Sequence, residues 1–453
     1  ACRDERLKAA ARDWLRGLMK DPEEKVRRYA AAALPKFASG AAEESAILDA
    51  LKVSGEERER RRLAEALEKV GGEATLRAVE AGETSEVSVR KVKAGIARKS
   101  GGVSARIDVR IPFRPGSMVH LRCRRGLESF VAEETAGSPF KVREVRAGCV
   151  IADVTREFSL AEAHALRCFD TLSFPLGVIR NPGSPSAVDE LGALIASASS
   201  VRLMELLSEG APRYRLSLDG ASAKVIDRIA ERAYALAPSV LNDPKSAAWT
   251  IDVISSPLGA GVELRPRVSP DPRMHYRTAA VDAASHPPLA ACLARVSLGA
   301  DAEVIWDPFC GSGLELVERA MLGGVRRAVG TDIDPAAVAL AQVNFEAAAV
   351  RDVTGEFIAC DFRDAPLKGG LGRGSVSLVI SNPPLGRRVR VPNLHGLFAD
   401  LFKVSAEVLR PGGLLVFVNP LRLEPEGLPL RLEHRRKVDL GGYDCRLEVY
   451  RRI

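Results

Sequence analysis

Two short clusters of residues could carry chemistry. Asn382-Pro383-Pro384-Leu385 sets a side-chain amide beside two prolines. The prolines fix φ and remove N–H donors, so the turn is stiff and presents carbonyls. An exocyclic amino group is a poor nucleophile because its lone pair is delocalised. Accepting its two hydrogens on the Asn382 side-chain oxygen and the Pro383 carbonyl favours a pyramidal nitrogen aimed at an electrophile. Earlier in the chain, Asp307-Pro308-Phe309-Cys310-Gly311-Ser312-Gly313 has two glycines where backbone can turn sharply and lie against a small charged ligand. The helix expected from Leu314 offers its free N–H groups to a carboxylate. A proline turn can be only a turn, and a glycine loop can greet a nucleotide. The G-x-G-x-x-G spacing of a dinucleotide site is missing. The first cluster has no cysteine, which argues against covalent attack on a pyrimidine carbon and leaves Cys310 as a small residue in a tight loop.

These clusters need a scaffold that sets strand ends side by side. From about residue 269 to 453, strands are expected at 304–306, 328–332, 356–359, 377–381 and 414–419, with a closing pair near 438–440 and 446–451. Helical or loop stretches of crossover length separate the first five, giving a doubly wound, Rossmann-like parallel sheet with an antiparallel final strand. Ligands bind such sheets beyond the carboxyl ends of the strands, where both clusters fall. At the second strand end Asp332 can accept both hydroxyls of a ribose. Asp334 before Pro335 reads as a helix N-cap. At the third, Asp361 can accept from an adenine amino group or cap its loop, and Phe362 can offer its backbone N–H to the ring.

The rest divides in two. Residues 1–100 read as helices, with apolar spacing in Val26-x-x-Tyr29-Ala30-x-x-Ala33-Leu34, in Leu63-Ala64-x-Ala66-Leu67-x-x-Val70, and more weakly in Val89-x-x-Val92-x-x-x-Ile96. The copies lie roughly 30 residues apart, after breaks at Asp21-Pro22, Ser54-Gly55 and Gly82, a period that resembles HEAT-type helical repeats. An irregular bundle is the plainer reading. Arg60-Arg61-Arg62 suits phosphate contact or a solvated face. Residues 99–102 read as a linker. Residues 103–268 read as α+β, with strands at 118–123, 140–145, 149–154, 214–219, 249–254 and 261–266 and helices at 126–134 and 223–236.

Bulk properties exclude little. The 453 residues suffice for two to four domains, and a net charge of +7 permits nucleic-acid binding without demanding it. Eight cysteines without a C-x-x-C point to a reducing cytoplasm and away from disulfides or structural zinc. No apolar run suffices for a membrane span, and the opening residues do not read as a signal peptide.

In this order, the two clusters resemble those of S-adenosylmethionine-dependent amino-methyltransferases. Gly386-x-Arg388 after Asn-Pro-Pro is similar to the guanine-N2 RNA methyltransferases. Arg125-Gly126-Leu127-Glu128 before an acidic helix resembles the opening of the ferredoxin-like module in THUMP-containing RNA methyltransferases, and the β-α-β-β pattern with Asn242-Asp243-Pro244 resembles a THUMP domain. Met274-His275-Tyr276-Arg277 followed by Ser285-His286-Pro287-Pro288 is similar to the segment with which those enzymes close over the methionyl end of the cofactor.

The resemblance implies S-adenosylmethionine held by Asp307, Pro308, Cys310, Gly311, Gly313, Asp332, Ile333, Asp361, Phe362 and His286, the last packing and capping rather than acting as a base. It implies a catalytic set of Asn382, Pro383, Pro384 and Leu385, no metal, and Arg387, Arg388 and Arg390 on the substrate side. Arg435-Arg436-Lys437 is expected near the same edge. Structured RNA is the expected partner, tRNA first and rRNA second, modified at guanine N2, with a protein partner possible at the N-terminal helices. Leu385 stands where an aromatic commonly stacks on the base, and Leu314 where a threonine commonly follows the loop. DNA adenine-N6 and protein glutamine methylation remain rival activities, and a non-catalytic RNA-binding scaffold is the alternative of another class.

Overall fold

The computed structural model describes residues 5–37, 40–99, 106–116, 118–256, 258–278, 285–298, 302–386 and 390–453. The chain forms two compact units, one of residues 1–108 and 175–267, the other of 109–174 and 268–453. The middle segment read as one module, 103–268, therefore contributes to both. No helix among the described residues is long and apolar enough to cross a membrane.

In the first unit the N-terminal region is helical: Glu5–Leu18, Glu24–Ala33, Ala41–Val53, Glu57–Val70, Glu73–Glu80 and Val89–Lys99. Their apolar stripes meet in a core around Leu34, Ile47, Leu51, Leu63, Leu67 and Val92, all fully buried. Two buried carboxylates fasten the turns between them. Glu44 accepts from Gly72 N, Thr75 N and Thr75 Oγ1 at 2.7–2.8 Å, satisfying the free donors at the start of helix Glu73–Glu80. Glu59 accepts from Arg27 Nε and Nη2 and from Ser54 Oγ at 2.6–2.8 Å. The arginine run is also engaged: Arg60 pairs with Glu86 at 2.6 Å and Arg62 with Glu65 at 2.6 Å. Strand Arg213–Leu218 runs parallel to Trp249–Ser256, which forms an antiparallel hairpin with Gly259–Pro266.

The second unit holds a seven-stranded sheet. We label its strands β1 (Val304–Asp307), β2 (Arg327–Asp332), β3 (Thr354–Ala359), β4 (Val376–Ser381), β5 (Leu409–Asn419), β6 (Leu430–Asp439) and β7 (Asp444–Arg452). Their order is β3-β2-β1-β4-β5-β7-β6, parallel through β5, with β7 antiparallel to both neighbours. This is the expected Rossmann-like sheet. The closing pair is longer than expected because β6 and β7 form a ten- and nine-residue hairpin whose polar outer residues mask the period. β4 is buried along its whole length, as a central parallel strand must be.

Strands Met118–Arg122, Phe140–Arg146 and Cys149–Val154 pair antiparallel in this unit. Arg125-Gly126-Leu127-Glu128 is where they dock on the sheet edge. Gly126 has φ +96°, and a Cβ there would lie 1.9 Å from the Lys437 carbonyl. Glu128 accepts from Gly126 N at 2.9 Å and Gly148 N at 2.7 Å. Arg436 lies over the Phe130 ring at 5.2 Å and also bonds Ser129. Arg435 pairs with Glu448 at 2.6 Å and Glu424 at 2.7 Å. The expectation that this basic run rims the reactive corner is therefore corrected. It sits on edge strand β6, separated from β4 by β5 and β7, and two of its charges are satisfied internally.

Tyr276 is fully buried and donates to Glu318 Oε1 at 2.7 Å, while Arg167 grips the same carboxylate at 2.6 and 2.8 Å. Glu318 lies on helix Leu314–Met321, directly after the glycine loop. Removing it strands a largely buried guanidinium and a phenol. Glu318→Ala should therefore destabilise the second unit by about 3–5 kcal/mol, measured as lost hydrogen-exchange protection of the β1–β5 amides.

Candidate active site

β1 ends at Asp307, and the chain then turns through Gly311 at φ +49° and Gly313 at φ +81°. Both values lie in the left-handed region that glycine enters at little cost. Cys310 N donates to Thr331 O at 2.9 Å, tying the loop to β2, and Gly313 N donates to Cys310 O at 2.7 Å. The two glycines differ in surroundings. A Cβ at Gly313 would meet Ala341 atoms at 3.2–3.3 Å, whereas one at Gly311 would meet nothing within 4 Å. Gly313 serves helix packing; Gly311 faces open space.

Asp332 ends β2 half-buried. Its Oδ2 accepts from Gly311 N at 3.0 Å and its Oδ1 from Asp334 N at 3.1 Å, which steadies the carboxylate at the loop. Asp334 caps helix Pro335–Ala347 through Ala336 N at 2.9 Å. Ile333 beside it is 76% exposed, while Pro308 is buried. Asn344, fully buried, donates to Ser312 O at 2.9 Å and accepts from Thr278 N and Oγ1 at 3.0 and 3.1 Å. It thus joins the glycine loop to the segment that precedes the sheet.

At the β3 end Asp361 accepts from Arg363 N at 2.9 Å and pairs with Arg363 Nη1 at 2.9 Å. It caps the turn Phe362–Asp364. The Phe362 ring is buried, its centroid 4.8 Å from that of Phe309. His286 is the N-cap of helix Pro287–Val296 and lies 3.5 Å from Asp170 through Nδ1. Burial pushes the Asp170 carboxyl up to about 6, with Arg124 and Arg273 opposing.

The reactive corner joins the loop through a hydrogen bond absent from the sequence reading. Ser381, the last residue of β4, donates to Asp307 Oδ1 at 2.6 Å, and Phe309 N donates to the same oxygen at 3.0 Å. Asp307 is fully buried, and its Oδ2 has no partner among the described residues. Burial first, then neighbouring Glu315, drives its pKa well above the carboxylate range. Asn382 Nδ2 donates to Ser285 Oγ at 2.9 Å, while Asn382 Oδ1 is buried and without a partner among the described residues. Pro383 is buried; Pro384 and Leu385 are half-buried. Burial also raises the Cys310 thiol, so it stays protonated. Arg390 is exposed, and Arg387 and Arg388 lie outside the described residues.

Sequence reasoning passed over Ser285, Glu315, Asn344 and Ser381 as functional residues. A polar residue on an otherwise apolar buried strand was the one visible signal, at Ser381. The two glycines should separate by substitution. Gly313→Ala should cost about 2–3 kcal/mol and Gly311→Ala about 1 kcal/mol, compared by thermal unfolding, because only the first adds a clash to the left-handed strain.

Residues 274–437, about a third of the chain, match the family model described as RMKL-like, methyltransferase domain. The chain is 27% identical over 153 residues to the rRNA N(6)-adenosine-methyltransferase metl-5 of Caenorhabditis elegans, covering 34% of this chain and 66% of that protein. It is 35% identical over 147 residues to the ribosomal protein L11 methyltransferase of Geobacter metallireducens, covering 32% and 40%. It is 28% identical over 158 residues to the tRNA (guanine(10)-N2)-dimethyltransferase of Methanothermobacter thermautotrophicus, covering 34% and 44%. The chain thus spans 40–66% of the length of these curated relatives. Among solved structures, TrmN from Thermus thermophilus superposes with a TM-score of 0.57 at 22% identity, over 74% of this chain and 99% of that one. That likeness is one of fold.

Proposed function

We propose that this chain is an RNA methyltransferase that moves a methyl group from S-adenosylmethionine to an exocyclic amino group, guanine N2 in tRNA before any in rRNA. The observation that carries this reading is the corner itself. Asn382 Oδ1 lacks a partner, sits on a proline-stiffened turn, and is held in register with the glycine loop by the Ser381–Asp307 bond.

The residues present fit the cofactor. Gly311 faces open space where a Cβ would intrude, and Asp332 keeps lone pairs for ribose hydroxyls after accepting two backbone N–H groups. Gly311, Gly313, Pro308 and Cys310 shape the loop, Asp307 supports it, and the Asp361–Phe362 backbone and exposed Ile333 flank the adenine side. His286 holds the start of the preceding helix. S-adenosylmethionine, when bound, supplies a methyl carbon made electrophilic by its sulfonium.

The rest falls to the chain. Asn382 Oδ1 and the Pro383 carbonyl accept the two amino hydrogens, orient the nitrogen lone pair and stabilise the positive charge that develops there. A strong base is not required before transfer, because the amino proton becomes acidic only as the N–C bond forms. Pro384 stiffens the turn, and Leu385 offers an apolar edge to the base in place of aromatic stacking. Arg387, Arg388 and Arg390 are assigned to the phosphates around a base drawn from its stack.

The α+β region at 103–268 is assigned as a ferredoxin-like and THUMP-type RNA grip, and the helices of residues 1–100 as HEAT-like repeats that bind RNA or a protein. The seven described cysteines are free and buried, which supports work in the reducing cytoplasm.

The test is methyl transfer from radiolabelled S-adenosylmethionine to separate tRNA, rRNA, DNA and protein fractions, followed by nucleoside analysis. N2-methylguanosine in an RNA fraction is the expected product. Label confined to DNA adenine or to protein would replace the substrate reading; cofactor binding with no label in any fraction would favour a scaffold. Asn382→Ala should lower turnover by at least about a hundredfold while cofactor affinity stays within about threefold. Asp332→Ala should instead weaken cofactor binding, read by calorimetry.

A further inference from the structure

The corner works only if Asn382 presents its oxygen, not its amino group, to the substrate. An asparagine amide is nearly symmetric in shape, and a half-turn exchanges acceptor for donor. We propose that Glu315, acting through Ser285, is a positioning residue that fixes the orientation of the Asn382 amide; the inference rests on the methyl-transfer reading above.

Glu315 is 2% exposed, in the first turn of helix Leu314–Met321. Its carboxyl is hydrogen-bonded by Ser285, an interaction that favours the ionised form. The Ser285 oxygen in turn accepts from Asn382 Nδ2 at 2.9 Å. A hydroxyl has one proton. When Ser285 gives it to the Glu315 carboxylate, only lone pairs face Asn382. The amide must then turn its NH2 toward Ser285 and its Oδ1 away, toward the corner, because the flipped amide would oppose two acceptors at 2.9 Å.

A protonated Glu315 can donate to Ser285 and release the serine proton toward Asn382. The flipped amide then becomes equally satisfied, and it meets the substrate amino group donor to donor. The relay therefore passes charge state at Glu315 into hydrogen-bond direction at Asn382.

Burial pushes the Glu315 carboxyl up to about 7; Ser285 and its own backbone pull it down, and Glu318 on the same helix raises it. Asp307 faces it from β1, and each carboxyl disfavours ionisation of the other. Nearby cations have other partners: Arg167 holds Glu318, Arg295 of helix Pro287–Val296 holds Glu134, and His286 faces Asp170. Glu315 thus loses its proton as pH rises through neutrality. The productive orientation is fixed above that point and relaxed below it.

The test compares wild type with Glu315→Gln, Ser285→Ala and Ser285→Thr, using S-adenosylmethionine and the RNA fraction the wild type labels. Glu315→Gln should lower kcat on the order of tenfold, leave both KM values within about threefold, and remove the rise in kcat through neutral pH. Ser285→Ala should show the same loss and Ser285→Thr should recover it. The variant carrying both Glu315→Gln and Ser285→Ala should be no slower than the worse single change, since the residues act in series. Wild-type kcat and pH profile in Glu315→Gln, or a loss confined to cofactor affinity, would overturn the proposal.

Should the buried Glu315→Gln change prevent folding, Ser285→Ala at its half-buried position carries the same comparison. A wild type that labels no fraction would sink the methyl-transfer reading instead. The relay is then read directly from the Asn382 side-chain 15N amide resonances. These should shift with a midpoint near neutral pH in the wild type and stay flat in Ser285→Ala; a flat wild-type profile would refute the relay.

Discussion

The buried Glu318 carboxylate is the point on which the second unit turns. It collects Arg167 from the strand-rich module and Tyr276 from the segment before the sheet, and it stands one turn into the helix that follows the glycine loop. A charge so deep is tolerated only with its partners in place, so burial makes the junction all-or-none. Three sequence-distant pieces are thereby held together, and the loop's helix becomes a fixed reference. Arg167 also reaches the Arg273 carbonyl at 2.7 Å, while Arg273 stacks over Phe169 at 4.5 Å. The junction is thus a network rather than a single pair.

From that reference the site assembles through short polar links between buried groups. Asn344 ties the glycine loop to Thr278, and Ser381 ties the end of β4 to the end of β1 through Asp307. Parallel strands leave their carboxyl ends side by side, so a loop after β1 and a turn after β4 become neighbours without any long excursion of chain. The cost is a concentration of carboxyls in a poorly solvated corner. Asp307 and Glu315 both have their protonated forms favoured by burial and by each other. Such a setting couples proton occupancy to hydrogen-bond direction, which is what the corner must control.

The first unit uses the same device for another end. Glu44 and Glu59 bridge successive helices at their turns, and buried Arg90 joins helix Val89–Lys99 to Asp227 and to Glu231, the latter at 3.1 Å. Short helices make too few backbone bonds to be stable alone, so these clamps and the shared apolar core must hold their relative angles. Tyr29 and Trp14 remain exposed on this region at 63% and 65%.

Local pattern determined a great deal about this protein. The β1–β5 strands, the glycine loop, the proline corner and the Asp334 cap are all legible because strand period, turn chemistry and capping act within a few residues. So is the helical N-terminal region, through its apolar spacing. What tertiary structure alone decided is who meets whom. Ser285 and Asn382 are 97 positions apart, and Arg167 and Glu318 are 151 apart. Nothing in either neighbourhood encodes the partner. Asp361 looked free to take a ligand and instead caps its own turn. Arg435 and Arg436 looked like phosphate contacts and are spent on Glu448, Glu424 and Phe130. Arg125-Gly126-Leu127-Glu128 looked like a family signature, and its glycine is demanded by a carbonyl more than three hundred residues away. A side chain's type states what it can bond. Its partner is chosen only when burial removes water as the alternative.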